Sequence, residues 1–156
     1  MRFTIIAMGN KMPLWIRNGF EEYAKRMPPE LRIDLVELKP ADRGGGKVIS
    51  RLLQDEASGI EAAIPREAQR IVLDERGQMI TTKLLMEWLK HWLAEGANPC
   101  FMIGGADGLD PALKKTAHRT LSLSGCTLPH GLVRVLLAEQ IYRAWTLLQN
   151  HPYHRE

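Results

Sequence analysis

Short apolar runs alternate with longer amphipathic stretches along this chain. The amphipathic stretches repeat apolar residues every three or four positions, as helices that bury one face do. The apolar runs are typical of strands, and the run at 100–103 is wholly apolar, which predicts a central strand. This alternation predicts an α/β fold with a mostly parallel sheet and helices on both faces. The predicted strands lie at residues 3–8, 33–38, 70–74, 100–103 and 121–123, and the predicted helices at residues 14–27, 48–63, 81–95 and 132–149, with a short helix opened by Asp110 and Pro111.

The chain has 156 residues, the usual size of one domain, and neither a repeat nor a linker divides it. We therefore expect a single domain over residues 1–156. Hydrophobic residues make up 45% and charged residues 25%, as in ordinary folded proteins, so disorder is not expected. No apolar run approaches the roughly 20 residues of a membrane span, and the first nine residues lack the features of a secretion signal. These observations predict a cytoplasmic protein without a membrane partner.

The two cysteines, Cys100 and Cys126, stand in apolar contexts. Two cysteines in such contexts predict buried, reduced thiols rather than a disulfide framework. Metal binding is not expected either, because the aspartates near the predicted strand ends are too scattered to form a recognisable ligand set. These aspartates are Asp42, Asp74, Asp107 and Asp110.

The net charge of +3 is unevenly distributed along the chain. Residues 1–51 carry a net charge of +4, residues 52–110 a net charge of −5, and residues 111–156 a net charge of +4 together with four of the five histidines. Two basic ends around an acidic middle indicate either a basic face suited to phosphate or a solvated surface of mixed charge.

In open parallel sheets, ligands bind at the carboxyl ends of the strands, and three loops are predicted there. They are residues 73–77, residues 104–108 and residues 124–131. Gly104 and Gly105 allow either the close approach of a ligand to the backbone or a tight turn without a ligand. The sequence lacks the Gly-x-Gly-x-x-Gly fingerprint after the first strand and has no Walker loop, which disfavours a nicotinamide or ATP enzyme.

The loop at 124–129 is uncharged, so its backbone groups are suited to reading the edge of an adenine ring. Leu73 and Leu128 are candidate apolar walls for such a pocket. Pro129 opens a helix whose amino terminus favours an anionic group nearby. His130 follows directly, and a histidine at this position is more often a surface or capping residue than a catalyst.

The last predicted helix is apolar almost all round. A helix with a second apolar face indicates a subunit interface, although a fully buried central helix has the same pattern. Glu139 and Arg143 are four residues apart and are expected to pair on one face. Contact between Arg143 and RNA phosphate is the alternative for that arginine.

The C-terminal tail, residues 150–156, carries two histidines, a tyrosine and an arginine around Pro152. Chain ends are often frayed without a function. Aromatic and arginine side chains also stack on extruded bases, and histidine transfers protons near neutral pH. Composition leaves both interpretations open.

Three segments of the sequence together resemble the RlmH family of SPOUT-class methyltransferases. These segments are Thr-Leu-Pro-His-Gly-Leu-Val-Arg-Val-Leu-Leu-Ala-Glu-Gln-Ile-Tyr-Arg-Ala-Trp from Thr127 with the tail Asn-His-Pro-Tyr-His-Arg-Glu, the run Ile-Gly-Gly-Ala-Asp-Gly at 103–108, and Leu73-Asp74 followed by Gly77. The likeness covers essentially the whole chain.

The resemblance implies a fold whose C-terminal part forms a trefoil knot, a rare exception to the rule against knotted chains. It implies a homodimer that binds S-adenosylmethionine and methylates N3 of a pseudouridine in 23S ribosomal RNA of the assembled ribosome, with RNA rather than DNA as the partner. The implied cofactor contacts are Leu73, Gly105, Ser124, Gly125, Cys126, Thr127, Leu128 and Pro129. The implied substrate-side residues, in a site shared between subunits, are Arg143, Tyr153, His154 and Arg155.

For this reaction we expect His154 to act as the general base, with Arg143 or Arg155 stabilising the developing imide anion. Two other functions compete with it. One is a non-catalytic RNA-binding or ribosome-associated α/β domain whose glycine loops are purely structural. The other is an enzyme that uses a different nucleotide cofactor, which the missing fingerprints disfavour.

Overall fold

A single five-stranded sheet organises the chain in the computed structural model, which describes residues 1–154. The strand order is β2-β1-β4-β3-β5, and every neighbouring pair is parallel. The predicted α/β class and parallel sheet are therefore confirmed. The strands are β1 (Phe3–Met8), β2 (Ile33–Leu38), β3 (Gln69–Met79), β4 (Pro99–Ile103) and β5 (Arg119–Ser122), and the helices are α1 (Leu14–Ala24), α2 (Ile49–Ala63), α3 (Thr82–Glu95), α4 (Pro111–Lys114) and α5 (His130–Leu148).

Two apolar cores lie on opposite faces of the sheet. On one face, side chains of β1 and β4 such as Ile5 and Phe101 pack with residues of α1, α3 and α5. On the other face, Ile6 and Met102 pack with Ile60 of α2 and with α4. All residues of β1 and β4 are buried because both strands are covered from both sides. The predicted central position of β4 and the placement of helices on both faces are confirmed.

Helix α5 lies between α1 and α3 and contacts both. Every residue from His130 to Leu148 is buried or half-buried within the single chain. Burial between two helices therefore explains much of its apolar sequence, and the predicted subunit interface needs support from other features. The large apolar side chains that stand most exposed include Leu14 and Trp15 at the start of α1, which are 68% and 61% exposed.

The third strand is longer than predicted. Leu73 and Gln78 both pair with Leu121 of β5, so residues 74–77 bulge out of the ladder before pairing resumes. Gly77 lies directly on β5, where an added Cβ would be 2.8 Å from the backbone of Leu121. The predicted end of the strand at Asp74 was wrong because the charged, glycine-containing bulge has the composition of a turn.

Three smaller predictions also need correction or confirmation. The fifth strand ends at Ser122, so Leu123 lies outside it. Cys100 is buried as predicted, whereas Cys126 is exposed because the loop that carries it lies at the surface. Asp110 caps α4 as predicted, accepting a hydrogen bond from the Leu113 N–H.

Within residues 1–154 no helix is long and apolar enough to cross a membrane. The trefoil knot stays a prediction.

Candidate active site

A cavity of about 570 Å³ opens where the bulge of β3 meets the carboxyl ends of β4 and β5, the edge at which parallel sheets bind ligands. Its size is typical of small-molecule sites. The three loops predicted from the sequence surround it. Six of the eight predicted cofactor contacts line the cavity, namely Leu73, Gly105, Ser124, Cys126, Thr127 and Leu128. Gly125 and Pro129 do not line it, and Pro129 is the N-cap of α5.

The bulge of β3 forms one wall of the cavity with Asp74, Glu75 and Arg76. The Asp74 carboxylate accepts a hydrogen bond from the Arg76 N–H and forms a 2.8 Å ion pair with the Lys114 ammonium. The lysine, followed by the backbone donor, lowers the pKa of Asp74. This wall therefore carries a fixed negative charge that Lys114 balances.

The glycine turn after β4 forms a second wall. The Gly108 N–H donates to the Gly105 carbonyl at 3.1 Å, and a Cβ on Gly104 would lie 2.5 Å from the backbone of Gly108. The residues after β4 therefore form a tight turn, as one of the two interpretations of Gly104 and Gly105 predicts. The same turn also lines the cavity, and its role in binding a ligand stays a prediction.

The rim of this turn is tied to the loop between β2 and α2. Arg43 forms ion pairs with Asp107 at 3.1 Å and with the buried carboxylate of Glu56 at 2.5 Å. Glu56 also accepts a hydrogen bond from the Ala41 N–H. Two anions on one guanidinium raise the pKa of Arg43, and Glu56 is the larger cause.

The loop at 124–129 forms the third wall. The Ser122 hydroxyl donates to the Ser124 carbonyl at 2.9 Å, and the Cys126 N–H donates to the Ser124 hydroxyl at 2.8 Å. These bonds fold the loop over the end of β5. Leu73 and Leu128 lie in the walls as anticipated, and Val133 of α5 lines the cavity as well. Apolar walls beside a polar backbone are suited to a flat heteroaromatic ring.

His130 lies at the start of α5 and lines the same cavity. It is half-buried, and α5 has no side-chain cap, so the capping interpretation of this histidine was wrong. Burial, followed by the charge of Arg134, lowers the pKa of His130. The imidazole facing the cavity is therefore neutral at neutral pH.

Two of the predicted substrate-side residues, Arg143 and Tyr153, meet at Glu139, further along α5. The Glu139 carboxylate accepts hydrogen bonds from Arg143 Nε at 2.8 Å and from the Tyr153 hydroxyl at 3.0 Å, which confirms the predicted Glu139–Arg143 pair. The Tyr153 ring stacks edge-on against Tyr142 at 4.6 Å. Burial and the bond to Glu139 raise the pKa of Tyr153 to about 12, so this phenol stays protonated.

Tyr153 therefore packs against the protein, so the described part of the tail is folded back onto α5. His154 is half-buried, and its Nδ1 is buried without a hydrogen-bond partner among residues 1–154. Arg155 lies outside the described residues.

The cavity and the tail are far apart within one chain. His130 and Arg143 are 13 residues apart on one continuous helix, which corresponds to about 20 Å at the rise of an α-helix. Val133 also lines the cavity, and it is still ten residues from Arg143, which corresponds to about 15 Å along the helix.

The whole described chain matches one protein family. The model of the predicted SPOUT methyltransferases matches residues 1–154. The chain belongs to the SPOUT methyltransferase family. It is 59% identical to the ribosomal RNA large subunit methyltransferase H of Ralstonia pickettii (strain 12J) and 57% identical to that of Ralstonia nicotianae (strain ATCC BAA-1114 / GMI1000), over 99% of each chain. The protein of the same name from Paraburkholderia phymatum is 56% identical over 99% of each chain.

Sequence reasoning missed two charged contacts of this SPOUT site. Lys114 is the last residue of the short helix α4 and pairs with Asp74 in the cavity wall. Arg134 is 1% exposed and pairs with Glu37 at the end of β2. The signal for Arg134 was a single charge in an otherwise apolar stretch of α5, since a charge in such a position is kept only when it has a partner.

The glycine turn predicts a large loss of stability for one substitution and a small loss for the adjacent one. Gly104→Ala drives a Cβ against the Gly108 backbone, so we expect it to lower the free energy of unfolding by about 2 kcal/mol or more. Gly105→Ala meets only the Met8 side chain at 3.5 Å and should cost less than about 1 kcal/mol. Denaturant unfolding of both variants measures this difference. Equal losses would show that the close approach at Gly104 does not constrain the turn.

His130 predicts how stability depends on pH. Its pKa is lower in the folded than in the unfolded chain, so the unfolded chain binds the proton more readily and stability falls as pH drops below the unfolded value. We expect the loss to begin near the ordinary histidine pKa of about 6.5 and to grow as pH falls further, and His130→Asn should flatten the curve below that pH. Thermal unfolding across pH measures the effect. His91→Asn, at an exposed position of α3, is the control and should keep the wild-type slope.

Proposed function

We propose that this protein transfers a methyl group from S-adenosylmethionine to N3 of a pseudouridine in 23S ribosomal RNA, in the cytoplasm and as a homodimer. The family match and the full-length identity to proteins named ribosomal RNA large subunit methyltransferase H support the reaction class and the RNA substrate. The cavity supports the methyl donor, since its three walls combine apolar side chains with glycine backbone at the end of a parallel sheet.

The single observation that carries the dimer is the separation between the cavity and the tail. Both parts of the expected site are present in one chain, but they lie at opposite ends of α5. A two-fold arrangement resolves this separation, because it brings the tail of one chain to the cavity of its partner. Leu14 and Trp15 provide exposed apolar surface near the start of α5, where Gly131 faces Ile16 of α1.

S-adenosylmethionine supplies an electrophilic methyl group on a positively charged sulfur. Leu73, Gly105 and the loop at 124–128 hold it in the cavity in this proposal. Residues on the substrate side must accept the N3 proton and stabilise the imide anion that forms. His154 is assigned the first task because an imidazole accepts a proton near neutral pH. Arg143 is assigned the second task. It stays positively charged because its hydrogen bond to Glu139 raises its pKa.

The proposed role of His154 predicts a loss of turnover without a loss of donor binding. His154→Ala should reduce methyl transfer to ribosomes by about 10²- to 10⁴-fold, the usual contribution of a general base. Calorimetry should give an unchanged affinity for S-adenosylmethionine, because the cavity is distant from the tail of the same chain. His91→Ala is the control. Wild-type turnover in His154→Ala would remove this residue from the mechanism, and the absence of donor binding in both variants would favour a non-catalytic RNA-binding domain.

The shared site predicts complementation between two inactive variants. His154→Ala has an intact cavity and a defective tail, whereas Gly105→Val changes the turn that lines the cavity and has an intact tail. A heterodimer of the two combines one intact cavity with one intact tail, so we expect about half of the wild-type turnover. Co-expression with two affinity tags isolates this heterodimer for the assay.

The double variant paired with wild type is the control for this experiment. It places both defects on one chain, so a shared site leaves each cavity with one defective component and activity is lost. If the cavity and the tail act within one chain, the results reverse. The heterodimer of single variants is then inactive, and the control keeps about half of the wild-type activity.

A further inference from the structure

Arg134 is buried with only part of its guanidinium bonded. Nη1 donates to the Glu37 carboxylate at 2.8 Å and to the Gly9 carbonyl at 3.3 Å. Nε and Nη2 are also buried, and neither has a hydrogen-bond partner among residues 1–154. Buried donors in native proteins nearly always have a partner, so two open donors on one cation indicate a missing acceptor.

The open donors lie beside the start of α5. Arg134 is four residues after His130, and helical side chains lean toward the amino terminus of their helix. A Cβ built on Gly9 would lie 3.4 Å from Arg134 Nη2 and 4.0 Å from His130 Nε2. The absence of a side chain at Gly9 therefore leaves a position that both groups face.

The amino terminus of α5 reinforces this positive position. The helix has 19 residues, its N-cap is Pro129, and it has neither a side-chain cap nor an acidic residue in its first turn. Free N–H groups and the helix dipole at such a terminus attract anions. Glu37 balances Arg134 on its Nη1 edge, and no carboxylate of residues 1–154 contacts the opposite edge of the guanidinium.

The side chain of Met12 covers the position that Gly9 leaves free beside Arg134. Its methyl carbon is 3.0 Å from the Cβ built on Gly9, and its sulfur is 3.0 Å from a Cβ built on Gly131. Met12 belongs to the loop between β1 and α1 and is half-buried. Methionine is the most adaptable apolar side chain, so a charged ligand group can displace it at little cost.

We propose that Gly9, His130, Arg134 and the first turn of α5 form a binding site for one oxyanion, and that the oxyanion is the carboxylate of the methyl donor. The identity of the donor rests on the function proposed above. His130 connects the two sites, because it lines the donor cavity and also faces Gly9. An RNA phosphate has the same charge and acceptor oxygens, and it is the alternative source of the anion.

The test compares two donors on the wild type and on Arg134→Gln by calorimetry. S-adenosylmethionine should bind the wild type about 10- to 100-fold more tightly than decarboxylated S-adenosylmethionine, as expected for charge-assisted hydrogen bonds. Arg134→Gln should abolish this preference by weakening only the first donor. Equal weakening of both donors in Arg134→Gln would overturn the proposal. The proposal would also fail if the wild type showed no preference between the donors and Arg134→Gln kept the wild-type KM for ribosomes.

Glu37→Gln is the matched control. It removes the ion pair on the bonded edge of Arg134 but keeps the open donors, so the preference for the carboxylate should persist. A preference lost equally in Glu37→Gln and Arg134→Gln would indicate a purely structural role for the pair. If donor binding is unchanged in Arg134→Gln while the KM for ribosomes rises and its salt dependence falls, the oxyanion is an RNA phosphate.

A second measurement does not depend on the methyl donor or on the folding of Arg134→Gln. Inorganic sulfate should raise the Tm of the wild type above that in chloride at equal ionic strength, and the rise should be larger in Met12→Ala, where the cover is removed. Sulfate should also raise the pKa of His130 followed by NMR. No effect of sulfate on Tm or on His130 would overturn the site. Sulfate binding without donor binding would keep the site and reject the proposed function instead.

Discussion

The packing of α5 between α1 and α3 is the constraint on which the rest of the structure depends. This helix is held along its whole length by the sheet and by two neighbouring helices, so its two ends are fixed relative to each other. One end closes the cavity through His130 and Val133, and the other carries Glu139 and Arg143 beside the tail. Because α5 fixes this separation within one chain, the proposed reaction depends on the proposed dimer.

Much of the fold could be predicted from the sequence because local pattern and global environment agree. The strands β1 and β4 are buried along their whole length because both of their faces are covered. The alternation of strands and helices then favours a parallel sheet. The bulge in β3 could not be predicted. Residues 74–77 have the composition of a turn, and pairing resumes at Gln78 only because β5, more than forty residues later, lies alongside.

The location of the candidate site was also predictable, since the carboxyl ends of parallel strands converge and the chain places its glycines there. Its charged contacts were not predictable, because each depends on residues distant in the sequence. Arg134 meets Glu37 across 97 positions, and Arg43 meets Asp107 across 64. The burial of Cys126 was predicted wrongly for a related reason. Its neighbours in the sequence are apolar, but the loop that carries it folds at the surface, so the thiol is exposed.

The shared carboxylate of Glu139 has a consequence for how the tail can move. Undocking the tail breaks the bond from the Tyr153 hydroxyl and separates its ring from Tyr142. The Glu139–Arg143 pair lies entirely on α5 and stays closed during this change. Release of Tyr153 would therefore leave both the shape of α5 and the charge balance between Glu139 and Arg143 unchanged.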